Sequence, residues 1–142
     1  MKTTLMRTLL LPALLWMAWP AFAQSPDCAT DREACIRLAV TEAAVYVEEC
    51  GKILPAEKAK LDAALAQWKV LKLPIPGVVD AARPDAPGRN ALARKVGTYL
   101  KSIGRYERDI ECQGRRAMLE NQRPTLRSDT VLLPRDVLEP YQ

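Results

Sequence analysis

Three stretches of the chain carry apolar residues at spacings of four and three, strictly alternating in the first and third, and each is closed by a nearby glycine or proline. That period is one face of an α-helix, not the strict alternation of a half-buried strand. Over residues 30–50 the stripe is Ile36, Val40, Ala43, Val47 and Cys50, and Gly51 is a natural stop. Thr30 and Glu33 match a capping box at its start. A second helix is expected over 56–72, opened by Pro55, with Leu61, Leu65, Trp68 and Leu71 along one side. A third is expected over 90–122, carrying Leu92, Val96, Tyr99, Ile103, Tyr106, Ile110, Gln113 and Ala117, because Pro124 disfavours helix just before it. At 1.5 Å per residue this third helix would reach about 50 Å, so it must outreach the others, kink near Gly114 or end early.

Between the second and third helices, residues 73–89 hold Pro74, Pro76, Gly77, Pro84, Pro87 and Gly88, which excludes a continuous helix. One helical turn over 78–83 is compatible with the spacing. Irregular segments this long are uncommon in compact domains and are often functional. After residue 122 a Pro-punctuated tail, 123–142, carries Val131, Leu132, Leu133, Val137 and Leu138. That is too apolar for a disordered end, and docking along the bundle is expected.

Residues 1–23 read as a secretory signal peptide: Lys2 and Arg7, an apolar run from Leu9 to Trp19, Pro20, then Ala21-Phe22-Ala23 as the cleavage site. The run is shorter than the roughly 20 residues a membrane-spanning helix needs. Cleavage after Ala23 makes residues 24–142 a single helical domain and lowers the net charge from +4 to +2. It also leaves Trp68 as the lone tryptophan and no phenylalanine, so the core must be mainly Leu, Val, Ile and Ala. The expected address is periplasmic or secreted.

Cys28, Cys35, Cys50 and Cys112 all lie beyond that cleavage site. In an oxidising compartment an even count reads as two disulfides. The rival, a zinc site, has neither a fitting spacing nor any histidine. Cys35 and Cys50 share the first helix about 22 Å apart and cannot pair; Cys28 and Cys50 sit near its opposite ends. What remains is Cys28–Cys35 and Cys50–Cys112. One conflict stands: on a continuous third helix Cys112 lies about 200° from Ile110, away from the apolar stripe.

The same angular reckoning gathers Arg94, Lys101, Arg105, Arg108 and Arg115 on that far face. They form either a basic docking stripe or a solvated helix face. Export, a charge of only +2 and the lack of interleaved aromatics argue against nucleic acid. With no histidine there is no Ser-His-Asp or Cys-His system and no histidine metal site. There is no Cys-x-x-Cys, no Gly-x-Gly-x-x-Gly and no phosphate loop. Glu48 with Glu49 and Glu107 with Glu111 are carboxylate pairs of the sort that line most solvated helices. Gly97 and Gly104, with Ala93, suggest close approach of another segment, the tail being the favoured one.

The expectation is therefore an all-α, three-helix bundle braced by two disulfides, without catalytic residues, cofactor or metal. Its size and address resemble those of small exported inhibitors and immunity proteins. The first functional expectation is a protein partner in the periplasm. The second is a structural role at the envelope, on anionic lipid or cell-wall polymer, through the basic stripe.

Overall fold

The computed structural model describes residues 30–121, and every regular element in that span is helical. The elements are α1 (Arg32–Ile53), α2 (Lys58–Gln67), α3 (Arg89–Ser102) and α4 (Arg105–Asn121). Short 3₁₀ turns at Pro55–Glu57, Lys69–Lys72 and Asp80–Ala82 link them. Residues 1–23, expected to be a signal peptide, Cys28 and the tail 123–142 fall outside the described residues.

α1 is the axis of the molecule. Asp31, not Thr30, caps it: its carboxylate accepts from the Ala34 amide at 2.9 Å. Asp is as good an N-cap as Thr or better, and its position places the acceptor over the first turn. The predicted stripe from Ile36 to Cys50 is buried throughout, and Ala39, Ala44 and Val45 on other sides are buried too. α1 is covered from several directions because α2, α3, α4 and the Asp80–Ala82 turn all pack on it. Ala and Val dominate its surface, so neighbouring backbones approach closely and the core closes without phenylalanine.

The second helix is shorter than 56–72. α2 stops at Gln67 because Trp68 turns to an extended conformation and buries its indole. Leu61, Ala64, Trp68 and Val70 are buried, whereas Leu65 and Leu71 are only half-buried.

The expected third helix is two helices, giving four in place of three among the described residues. The break is at Ile103 and Gly104, ten residues before Gly114. Ile103 is extended, with φ −92° and ψ 158°. Arg108 donates to its freed carbonyl at 3.1 Å, and the Arg108 amide bonds the Gly104 carbonyl, opening α4. The break resets the helical phase, which removes the conflict over Cys112. Glu111, Cys112, Arg115 and Leu119 face the core, while Tyr106 and Ile110 face out. Cys112 bonds Cys50, with the Cα atoms 5.6 Å apart, as the geometric elimination required. Cys35 is fully buried, and no described cysteine is free.

Gly97 packs on α1, and the tail expected beside it lies outside the described residues. A Cβ there would lie 3.1 Å from a Glu49 carboxylate oxygen, so the glycine admits that side chain. No described helix is long and apolar enough to cross a membrane.

Candidate functional site

Segment 73–89 is a strapped surface. Ile75, Val78, Ala81 and Ala86 turn inward and are buried, anchoring it to the bundle. Between them Val79, Asp80, Arg83, Pro84 and Asp85 are exposed, Val79 by 61%. The backbone satisfies itself locally: the Ala81 amide bonds the Gly77 carbonyl at 3.0 Å, Arg83 bonds Asp80 at 3.0 Å and Ala86 bonds Arg83 at 3.1 Å. Gly77 and Gly88 take positive φ, +73° and +76°, where a side chain would be strained.

Two arginines hold the ends. Arg37 of α1 donates to the Pro76 carbonyl at 3.4 Å. Arg89 is buried; it donates to Glu48 at 2.7 Å and to the Ala82 carbonyl at 3.3 Å. The Arg89 hydrogen bond, followed by that from Lys52, holds the Glu48 carboxyl below its ordinary range. On the outer surface Arg83 pairs with Asp85 at 3.2 Å and Asp80 at 3.7 Å. The segment is thus pre-shaped, with an exposed ridge of mixed charge and one large apolar side chain.

The five cations expected to form one basic face do not. Arg94 and Lys101 lie on α3, the others on α4 beyond the break. Arg94, Lys101 and Arg105 are exposed, and Arg108 is half-buried over Ile103. Arg115 is 6% exposed and points into the core, where it pairs with Glu42 and Glu111, each at 3.1 Å. Its guanidinium carbon stands 3.7 Å from the centre of the Tyr46 ring. Glu42 and Tyr46 are i, i+4 on α1, and Glu111 and Arg115 are i, i+4 on α4, so facing helices each supply one rung. The cluster is two acids, one cation and an aromatic face, with Cys50–Cys112 next to it.

Burial pushes the Tyr46 hydroxyl up to about 12, although Arg115 pulls the other way. A tyrosine whose folded value exceeds its unfolded one stays protonated in the fold while the unfolded chain ionises. Its contribution is intact below pH 10 and is lost as pH rises toward 12. Stability is expected to fall by on the order of 2 kcal/mol across that window. Urea unfolding at pH 9 and 11.5 measures it, and Tyr46→Phe should abolish that part of the alkaline loss.

Glu42, Arg89 and Glu48 were legible only in part. Glu42 is the one charge in the run from Leu38 to Val47, a mark of a buried, paired group. Arg89 opens a helix, where the macrodipole disfavours a cation, so a specific acid must hold it. Neither signal names the partner. Among the described residues no group of acidic, Cys or His side chains could hold a metal ion. Compared with protein-family models, with curated proteins and with solved structures, the chain matches none.

Proposed function

We propose that the chain is a small exported, non-catalytic protein that binds a protein partner in the periplasm, in the manner of an inhibitor or immunity protein, through segment 73–89. The observation that carries this reading is the strapping of that segment: four buried apolar anchors and two arginine clamps beneath an exposed ridge. A ridge already held in one shape loses little conformational entropy on docking, which is how rigid inhibitory loops gain affinity. The Cys50–Cys112 disulfide is compatible with an oxidising compartment, and residues 1–23 have the pattern of a signal peptide.

The envelope-contact alternative has less support. Of its five basic residues, Arg115 is taken up by Glu42 and Glu111, and Arg108 leans on Ile103.

The ridge is tested by affinity capture from the periplasmic fraction of the native host. Wild type is expected to retain a partner that Val79→Glu with Arg83→Glu loses at least tenfold, with an unchanged thermal midpoint because both positions are exposed. Equal capture by the two proteins, or none by either, would sink the proposal.

A further inference from the structure

The break at Ile103 and Gly104 turns outward the stripe that a continuous helix would have buried. Tyr106 and Ile110 are 73% and 52% exposed, and Gln113 and Ala117 continue their four-three spacing, also exposed. Such a seam is what one helix offers another in coiled-coil packing. Gly114 beside it has open space, so a second backbone can approach.

The charges beside the seam identify the occupant. At 100° per residue Arg105, Asp109, Arg116 and Glu120 lie on one flank of it. Read from N- to C-terminus their signs run plus, minus, plus, minus. In a parallel pair the two copies of this flank fall on opposite sides of the seam and do not meet. Laid antiparallel, with Tyr106 opposite Ala117 of the other copy and Ile110 opposite its Gln113, they bring Arg105 to Glu120 and Asp109 to Arg116, each twice by symmetry; Arg116 and Glu120, which pair with each other at 3.5 Å within the chain, Arg116 also with Glu57, thereby gain a further partner. Asp109 has no ion-pair partner among the described residues, and neither does Arg105. We infer that the chain associates with a second copy of itself, α4 against α4, in antiparallel register.

α4 spans 17 residues, about 25 Å, so the contact is smaller than the roughly 1,200 Å² of a standard stable interface. The dimer is therefore weak and concentration-dependent. It does not use segment 73–89 and stands or falls apart from the partner-binding proposal.

Sedimentation equilibrium of the oxidised mature chain tests it. The average mass should climb from one chain toward two between about 10 μM and 1 mM, the range a small interface gives. Ile110→Glu should weaken association at least tenfold. Arg105→Glu should weaken it severalfold, and adding Glu120→Arg should restore it, since the flank then reads minus, minus, plus, plus and is again complementary to itself in antiparallel register. All these positions are exposed, and far-ultraviolet circular dichroism confirms that the variants fold. A chain that is monomeric at 1 mM, its α4 face open or covered by residues 122–142, overturns the inference. So does a dimer indifferent to Ile110→Glu, or a charge swap that fails to restore what the single change removed.

Discussion

Replacing Cys50 and Cys112 together by alanine is expected to lower the unfolding free energy by about 4 kcal/mol. The two are separated by 62 residues, and the bridge closes a loop that holds the end of α1, all of α2, the whole strapped segment, α3 and the start of α4. Closing a loop of that length removes on the order of 14 cal/mol/K of entropy from the unfolded chain, which is about 4 kcal/mol at 25 °C. Both side chains are buried, so the loss of two sulfurs adds a packing cost in the same direction. For a domain of this size the change removes a large share of total stability. Urea unfolding of the double variant under oxidising conditions measures it, with Cys28 and Cys35 left in place. A loss under 1 kcal/mol would mean that α4 is held to α1 by its other contacts alone. Reduction of the wild type should cost at least as much.

That bridge also explains which parts of the molecule can be read from sequence. α1 was legible because its stripe and the absence of internal Gly or Pro before residue 51 point the same way, and every stripe residue is buried. The pairing of Cys50 with Cys112 followed from helix length alone. The break at Ile103 and Gly104 did not, because one glycine within a helical pattern costs only about 1 kcal/mol and no proline marks the place. The local periodicity through Tyr106 and Ile110 favours a continuous helix with those residues inside. Covalent closure at Cys112 and the burial of Arg115 favour the opposite face, and tertiary structure wins over a pattern worth less. The conflict over the angular position of Cys112 was the visible trace of that competition. Segment 73–89 was recognisable as irregular, but its rigidity depends on Arg37, Glu48 and Arg89, whose partners lie about 40 residues away. Contacts at such separation leave no periodic signature.

Arg115 is where reading charge as solvent exposure fails most completely, and it carries the second large effect. Arg115→Leu should destabilise the fold by about 3–5 kcal/mol, the cost of breaking a buried pair from one side. The substitution strands Glu42 and Glu111 near one another without a cation and also removes the guanidinium from the Tyr46 ring. Were Arg115 a surface contact residue, the same change would move stability by no more than about 0.5 kcal/mol. Replacing the whole set, with Glu42→Leu and Glu111→Leu added to Arg115→Leu, should recover most of the lost stability, because an apolar core has no desolvated charge to satisfy. If the triple variant is no more stable than Arg115→Leu alone, the guanidinium matters for its shape between α1 and α4 and its charge is secondary. Recovery would mean that the salt-bridged cluster selects which face of α4 turns inward, and with it which face is left for a second copy, at little gain in stability over an apolar core.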